Sequence, residues 1–188
     1  MRVISGKAKG TKLYSIESSS TRPTLDRVKE SLFNIIHDEI QDANILDLFS
    51  GSGAIGIEFL SRGASIAYMC DKSPEAIKMI RKNLEKTKLL ESAKLINKDY
   101  KKCLEELTKE DIKFDIVFLD PPYEADLAID ASEKIIQLGL LKKQGIIVIE
   151  TDQESREKSK MQSLEIEVYD CRKYGRVTLI FLKRKELE

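Results

Sequence analysis

The tetrapeptide Asp120-Pro121-Pro122-Tyr123 places a carboxylate, two rigid residues and an aromatic ring directly after an apolar run. The run, residues 114–119, is rich in β-branched and aromatic residues, which is typical of a buried parallel strand. Two consecutive prolines cannot continue a central strand, because neither has an N–H group for the ladder. The strand is therefore predicted to end near Leu119, at the edge of the sheet where open α/β folds bind ligands.

The turn after this strand offers hydrogen-bond acceptors beside a flat aromatic surface. Asp120 supplies a carboxylate, and Pro121 restricts the backbone so that carbonyl oxygens stay available outside the sheet. Tyr123 supplies a ring, and stacking on such a ring contributes about 1–3 kcal/mol per nucleic acid base. Acceptors next to an aromatic plate suit a planar ring that carries an NH2 group. We therefore predict that Asp120, Pro121, Pro122 and Tyr123 form a catalytic turn.

A second segment that could bind a ligand is the glycine-rich stretch after the predicted first strand, residues 44–49. Gly51, Gly53 and Gly56 satisfy the spacing G-x-G-x-x-G, and helical periodicity resumes at once. Asp71 lies twenty residues beyond Gly51, where an acid accepts hydrogen bonds from ribose hydroxyls in nucleotide-binding folds. The glycine pattern does not by itself separate enzyme classes, because dinucleotide-dependent enzymes share it.

Acidic residues stand at or near the ends of four predicted strands: Asp47, Asp71, Asp99 and Asp120. A single aspartate in such a position is usually a helix cap. Because the carboxyl ends of parallel strands meet at one edge of a sheet, four of them around a glycine turn predict a ligand crevice.

Apolar runs alternate with helical periodicity along most of the chain. Strands are predicted at 44–49, 64–70, 93–97, 115–119, 145–150, 164–169 and 177–182, with helices starting near Thr24 or Asp26, at Ile55, at Pro74 and after Tyr100, and over 125–138. Residues 151–162 are polar and could form a further helix. Five strands that alternate with helices, followed by a hairpin, predict an α/β, doubly wound and mostly parallel sheet in a single domain, 1–188.

The N-terminal segment is basic, although the whole chain is neutral with 32 basic and 32 acidic residues. Residues 1–29 hold seven basic and two acidic side chains. The first 13 residues are predicted to form a hairpin that is too basic and too short to enter the core. Residues 1–20 would then be either an RNA-binding arm attached to the core, 21–188, or a mobile terminus. The candidate RNA contacts are Arg2, Lys7, Lys9, Lys12 and Arg27.

Other features of the composition point away from several kinds of protein. Cys70, Cys103 and Cys171 are far apart and His37 is the single histidine, so neither a disulfide framework nor a metal site is expected. The N-terminus lacks an apolar signal-peptide segment, and no apolar run is long enough to span a membrane. We therefore expect a cytoplasmic protein without a metal.

Several motifs carry a resemblance to a known family. Residues 47–53 are similar to motif I of class I S-adenosylmethionine-dependent methyltransferases, and residues 120–123 resemble their (D/N/S)-PP-(Y/F/W) motif. With residues 2–6 and 22–34 added, nearly the whole chain resembles the bacterial 16S rRNA guanine-N2 methyltransferases of the RsmD type. Lys29 stands where arginine is frequent in that family, which keeps the charge but loses bidentate geometry.

The resemblance implies a Rossmann-like, seven-stranded sheet with an antiparallel last strand. It also implies S-adenosyl-L-methionine as cofactor and methyl transfer to the N2 amine of a guanine. The implied partner is 16S rRNA, within an assembling small ribosomal subunit as one option.

The resemblance also assigns roles to residues. Gly51, Gly53 and the nearby backbone would enclose the methionine part of the cofactor, and Asp47 would orient that turn or hold the amino group. Asp71 would accept from the ribose, Asp99 would meet the adenine amine beside Tyr100, and Arg22 or Thr24 would contact the carboxylate. Asp120 and the Pro121 carbonyl would hold the guanine amine under Tyr123. The cofactor contacts expected in full are Arg22, Thr24, Asp47, Phe49, Gly51, Ser52, Gly53, Asp71, Lys72, Asp99 and Tyr100.

Three other functions remain open at the level of sequence. An NAD-dependent oxidoreductase would use the same glycine spacing, although residues 120–123 argue against it. An amino-methyltransferase acting on adenine N6 of DNA, on another RNA or on a protein would use the same tetrapeptide. A non-catalytic RNA-binding module would not need an acid at each strand end.

Overall fold

The computed structural model of the chain describes residues 1–15, 23–122, 127–154 and 165–185, with the backbone alone for 23–25. The helices are α1 (Pro23–Ile35), α2 (Ala54–Ser61), α3 (Pro74–Thr87), α4 (Tyr100–Lys109) and α5 (Leu127–Gln137). The strands are β1 (Asn44–Asp47), β2 (Ile66–Asp71), β3 (Ala93–Asn97), β4 (Phe114–Leu119), β5 (Leu141–Thr151), β6 (Ile166–Tyr174) and β7 (Val177–Arg184). Two short 3-10 helices lie at His37–Glu39 and Leu90–Ser92.

The seven strands form one sheet in the order β3-β2-β1-β4-β5-β7-β6. Strands β1 to β5 run parallel to one another, and β7 pairs antiparallel with both β5 and β6. The predicted doubly wound, mostly parallel sheet with an antiparallel last strand is therefore confirmed. The strand order reverses between β1 and β4, and the carboxyl ends of strands at such a reversal are where open α/β sheets bind ligands.

Two apolar clusters fill the two faces of the sheet. Successive strand residues alternate between them: Ile45 and Ile116 join the cluster beneath α1, α2 and α3, whereas Leu46 and Val117 join the cluster beneath α4 and α5. Because every central strand is covered on both faces, its residues are apolar without alternation, which is why the strands could be located from the sequence.

Several boundaries differ from the predicted ones. Strand β1 ends at Asp47 rather than at residue 49, because the chain leaves the ladder to enter the glycine turn. Strand β5 starts at Leu141, opposite Phe114, before an irregularity in the register. Helix α1 starts at Pro23, a residue suited to a first helical turn because its missing N–H is not needed there. Most of the possible helix over 151–162 lies outside the described residues. No helix of the described ranges is long and apolar enough to cross a membrane.

The prediction that residues 1–13 stay out of the core is wrong. Val3, Ala8 and Leu13 are buried in the cluster beneath α1, α2 and α3. The segment folds back on itself through one antiparallel bridge, Arg2 to Lys12, so its apolar side chains face inward while the lysines remain exposed. It forms a packed edge of the domain rather than a projecting arm.

Two side chains of α2 hold this edge. The carboxylate of Glu58, fully buried, accepts from the N–H groups of Ile4 and Ser5 at 2.9 Å each. The hydroxyl of Ser61 accepts from the Ala8 N–H at 2.9 Å and donates to the Ser5 carbonyl at 2.6 Å. These bonds satisfy backbone groups that would otherwise be buried without partners, which allows an irregular segment to pack against the core.

Candidate active site

The glycine turn between β1 and α2 depends on a left-handed backbone and on Asp47. Gly51 and Gly53 have φ values of 54° and 78°, a region that glycine reaches without steric cost. Gly53 is the N-cap of α2 and has no side chain to cap the helix. The buried Asp47 carboxylate replaces that cap by accepting the Gly56 N–H at 3.1 Å. One of the two roles suggested for Asp47, orienting the turn, is therefore visible in the geometry.

The glycines of this turn serve different purposes. A Cβ on Gly53 or Gly56 would lie 2.7 Å from Cε of Met69, so these two glycines allow α2 to pack closely on β2. A Cβ on Gly51 would meet no atom within 4 Å. Gly51 therefore leaves open space beside its backbone, where a ligand can approach it.

Asp71, at the end of β2, fixes the turn from the other side. One carboxylate oxygen accepts the Gly51 N–H at 2.9 Å and the other accepts the Ser73 N–H at 2.9 Å. Ser73 in turn caps α3 by accepting from the Ala76 N–H. Each carboxylate oxygen has a second lone pair, so Asp71 can still accept from a ligand hydroxyl while it holds the turn.

The residues at the end of β3 form a separate side of the site. Asp99 is the N-cap of α4 and accepts the Lys101 N–H at 3.0 Å. Tyr100 is buried, with its ring 5.6 Å from the Phe49 ring and its hydroxyl donating to Asp130 on α5 at 2.5 Å. Its hydroxyl therefore already has a partner, and the ring is what Tyr100 offers to a ligand.

A cleft of about 180 Å³ opens at the carboxyl ends of β1, β4 and β5. The residues that line it are Met1, Asp26, Lys29, Asp47, Phe49, Ser50, Gly51, Ser52, Ala54, Ile55, Phe118, Asp120 and Glu150. Asp47 and Phe118 are paired in the β1–β4 register, so Asp120 stands close to the glycine turn. The cleft thus joins the two segments that the sequence singled out.

The cleft concentrates carboxyl groups that are unusually hard to ionise. Burial raises the pKa of Asp47 to about 7; the bond from the Gly56 N–H opposes this rise, and the charges of Asp120 and Asp71 add to it. Asp120 is exposed at the cleft as a whole residue, but the protein atoms packed around its carboxyl group partly desolvate it and raise its pKa to about 6. Burial, followed by the charge of Asp120, raises the pKa of Glu150 to about 8.

The one basic side chain among the described lining residues, Lys29, is already engaged. Its ammonium group lies 3.2 Å from the Glu58 carboxylate and donates to the Arg2 carbonyl at 2.7 Å. Arg62 also donates to Glu58, at 2.9 Å, which completes a buried network between α1, α2 and the N-terminal edge. Lys29 therefore acts as a structural cation at this position, and the cleft keeps an acidic character.

The structure brings together only part of the predicted cofactor set. Asp47, Phe49, Gly51 and Ser52 line the cleft with Asp120. Five other predicted contacts lie outside the lining of the cleft, in the glycine turn itself or at the neighbouring strand ends: Gly53, Asp71, Lys72, Asp99 and Tyr100. Arg22 and Tyr123 lie outside the described residues, as does the side chain of Thr24. Pro121 and Pro122 follow β4 as predicted, with Pro122 exposed.

The predicted RNA contacts are all exposed. Lys7, Lys9 and Lys12 lie on the packed N-terminal edge and Arg27 on α1. Arg2 is near Asp26, with 4.0 Å between its Nε and the carboxylate. The described residues contain no group of three or more side chains able to hold a metal ion.

Sequence reasoning missed Glu150 and the residues that anchor the N-terminal edge. Glu150 is the next-to-last residue of β5 and comes directly after an apolar run, as Asp120 does, but no proline marks the end of that strand. Glu58 is the one charged residue in the apolar helix α2, a position that itself signals a buried partner. Asn83, which bonds the N-terminal edge to the glycine turn, gives no comparable signal.

The residues of the cleft and of the neighbouring strand ends fit S-adenosylmethionine. Gly51 leaves space beside its backbone, Asp71 can accept from hydroxyls, and the Phe49 and Tyr100 rings offer apolar surface. The cofactor carries a positive sulfonium, which carboxylates such as Asp47 and Asp120 favour electrostatically.

Comparison with known proteins agrees with this assignment of the fold. The family described as Conserved hypothetical protein 95 matches residues 1–183. The chain is 36% identical over 155 residues to Ribosomal RNA small subunit methyltransferase D of Haemophilus influenzae, covering 82% of this chain and 80% of that one. It is 34% identical over 155 residues to the Escherichia coli (strain K12) protein of the same name, with coverages of 82% and 76%.

The solved structures lead to the same group of proteins. The structure of yhhF from Escherichia coli superposes with a TM-score of 0.83 at 28% identity and covers 98% of both chains. A family match over almost the whole sequence, together with relatives above 30% identity over most of their length, establishes the relationship. The chain belongs to the Conserved hypothetical protein 95 family, in which it groups with the small-subunit rRNA methyltransferase D proteins.

Proposed function

We propose that this chain transfers a methyl group from S-adenosylmethionine to the exocyclic N2 amine of a guanine in 16S rRNA. The observation that carries the proposal is the cleft in which the glycine turn after β1 and Asp120 after β4 meet at the strand-order reversal. The relatives named as small-subunit rRNA methyltransferases support the substrate class, and the resemblance of residues 120–123 to amino-methyltransferases supports an amine as the acceptor.

In this proposal the ends of β1, β2 and β3 hold the cofactor. The open backbone at Gly51 and Ser52 would receive the methionine part, above Asp47. Asp71, with Lys72 beside it, would accept from the ribose, and Asp99 and Tyr100 would meet the adenine. When bound, S-adenosylmethionine supplies a methyl group on a positively charged sulfur, which is a good electrophile without further activation.

The end of β4 would hold the target base. The Asp120 carboxylate and the Pro121 carbonyl would accept the two hydrogens of the amine, and Tyr123 would stack on the ring. The base must leave its stack to reach the cleft, since its amine is otherwise inside the RNA helix. The cost of unstacking is offset by the new stacking and hydrogen bonds.

The main contribution of the protein to catalysis would be alignment. An amine held in line with the methyl group reacts with a lower entropic cost than one that meets it in solution. As the new N–C bond forms, the electron pair of the C–S bond returns to sulfur and one amine hydrogen leaves as a proton. Asp120 already accepts from that amine, so it is positioned to stabilise the developing positive charge on nitrogen.

RNA contact would come from the exposed basic residues of the N-terminal edge and of α1: Arg2, Lys7, Lys9, Lys12 and Arg27. The cleft itself is acidic, so phosphates would bind outside it and only the neutral base would enter. In an assembling small ribosomal subunit, the folded rRNA would present such a base on its surface.

The test is methyl transfer from tritiated S-adenosylmethionine to small-subunit rRNA, and to assembled subunits, from a strain that lacks the gene. Nucleoside analysis should find the label in N2-methylguanosine. Label in N6-methyladenosine, in DNA or in protein would point to another amino-methyltransferase, and tight NAD binding without methyl transfer would exclude the proposed class. An Asp120→Ala variant serves as the matched inactive control.

A further inference from the structure

Glu150 stands beside Asp120 on the neighbouring strand. In the parallel β4–β5 register Leu119 pairs with Ile149, so the next residues, Asp120 and Glu150, occupy equivalent positions at the carboxyl ends of two adjacent strands. Neighbouring strands are about 4.8 Å apart. Both side chains line the same cleft. The fold therefore builds a pair of carboxyl groups at the place where the proposed target amine would bind.

Two carboxyl groups that face one cleft from neighbouring strands rarely ionise together, because the second negative charge is placed near the first. Glu150 is half-buried whereas Asp120 is exposed to the cleft, so the retained proton belongs to Glu150, whose pKa is raised to about 8, against about 6 for Asp120. Near neutral pH the pair thus consists of a neutral Glu150 and an ionised Asp120. The two values belong to the pair as a unit.

Among the described residues that line the cleft, the one cationic side chain is already paired with another acid. Strand β1 contributes Asp47, and α1 contributes Asp26 together with Lys29, whose charge is paired with Glu58. Met1, which also lines the cleft, brings the terminal amine, and β7 places the apolar Leu179 opposite Glu150.

We propose that Glu150 is a positioning residue that acts through Asp120, with which it shares one proton. This rests on the proposed methyl transfer. Neutral Glu150 donates its O–H toward Asp120 and so fixes the ionised carboxylate as the acceptor for the target amine. During transfer the N–H bond breaks while the N–C bond forms, and Asp120 takes the released proton before passing it to solvent.

The consequence is a specific dependence of the rate on pH. Below about pH 6, Asp120 becomes protonated and can no longer accept from the amine. Above about pH 8, Glu150 becomes ionised, its O–H bond to Asp120 is lost, and repulsion displaces the Asp120 carboxylate. The single-turnover rate should therefore follow a bell-shaped curve.

The experiment measures single-turnover methylation of small-subunit rRNA as a function of pH for the full chain and for Glu150 variants. Glu150→Gln keeps a donor of the same shape that cannot ionise, so the decline above about pH 8 should disappear while the decline below about pH 6 remains. Glu150→Asp retains an ionisable group, so the alkaline decline should return. Glu150→Ala should reduce the rate about tenfold or more across the whole range, as expected for lost positioning.

Two controls separate this inference from the proposed function. Calorimetric binding of S-adenosylmethionine by each variant shows that the glycine turn is intact. If the unaltered chain methylates guanine but Glu150→Gln retains the alkaline decline, Glu150 has no such role although the proposed function stands. If the unaltered chain transfers no methyl group to guanine, both proposals are overturned.

Discussion

The side chain of Asn83 on α3 pairs with both backbone polar groups of Tyr14. Its Oδ1 accepts the Tyr14 N–H at 2.7 Å and its Nδ2 donates to the Tyr14 carbonyl at 2.9 Å. The same Nδ2 also donates to the Ser52 carbonyl in the glycine turn at 2.9 Å. One buried amide therefore connects the N-terminal edge of the domain to the loop that is proposed to hold the cofactor.

The first prediction concerns this connection. Asn83→Ala removes three part-buried hydrogen bonds, which should lower the free energy of unfolding by about 2–4 kcal/mol. It should also weaken S-adenosylmethionine binding, because Ser52 is no longer held. Denaturant unfolding and calorimetry measure the two effects. Asn34→Ala, an exposed position on α1, is the matched control and should change neither.

The second prediction concerns Asp71. Its carboxylate holds Gly51 and Ser73 through backbone N–H groups, so Asp71→Ala should both loosen the turn and remove a ribose acceptor. We expect cofactor affinity to fall about tenfold to a hundredfold, equivalent to about 1.4–2.7 kcal/mol.

Asp99→Ala is the comparison for this test, since Asp99 also caps a helix at a strand end but makes no bond to the glycine turn. A similar loss of affinity for Asp99→Ala would show that the adenine side of the site contributes as much as the turn. Unchanged affinity for Asp71→Ala would contradict the assigned role.

The third prediction concerns stability and pH. The Asp47 carboxyl has a pKa of about 7 in the folded chain against an ordinary value of 3.8. Between these values the folded state binds more protons than the unfolded state, so the free energy of unfolding should decrease as the pH rises from about 4 to about 7.

Asp47→Asn keeps an acceptor for the Gly56 N–H and removes this titration. The free energy of unfolding of the variant should therefore depend less on pH. From about pH 4 to about pH 7 it should fall by a few kcal/mol less than that of the unaltered chain. Denaturant unfolding at several pH values measures it. Glu150→Gln provides an independent second case, because it removes another carboxyl group with a raised pKa. If the free energy of unfolding depends on pH in the same way for the unaltered chain and both variants, the raised pKa values of Asp47 and Glu150 do not cause that dependence.

The fourth prediction separates the roles of Asp120 and Tyr123. Asp120→Ala should lower single-turnover methylation about a hundredfold with little change in RNA affinity, because alignment matters most in the transition state. Tyr123→Ala should weaken base capture by about 1–3 kcal/mol, whereas Tyr123→Phe keeps the ring and much of the activity. Near-normal rates for Asp120→Ala would show that this turn does not hold the target amine.

The fold was predictable because each central strand is buried on both faces and therefore reads as an apolar run. Strand β3 matched its predicted bounds, 93–97, and Asp120 was found because two prolines end β4 abruptly. Glu150 was overlooked because β5 continues to Thr151 without any such break.

The packed N-terminal edge was not predictable from local patterns. Val3, Ala8 and Leu13 are too widely spaced to show a helical or strand period, and their burial depends on long-range bonds to Glu58 and Ser61. Such contacts, more than fifty residues apart in sequence, leave no periodic signal near either partner.

The packing of this edge changes how RNA binding must be tested, because deletion of residues 1–12 would expose core and damage the fold. The fifth prediction therefore uses Lys7, Lys9 and Lys12, whose side chains are exposed while their backbone stays in place. Substitution of all three by glutamine should weaken RNA binding and reduce the slope of log affinity against log salt by about 2, since each phosphate contact contributes about 0.7–0.9. Cofactor affinity should be unchanged. The matched control substitutes three exposed lysines away from that edge, Lys102 and Lys109 of α4 and Lys113 before β4. An equal loss of slope in both triple variants would mean that the N-terminal edge makes no dedicated contact with RNA.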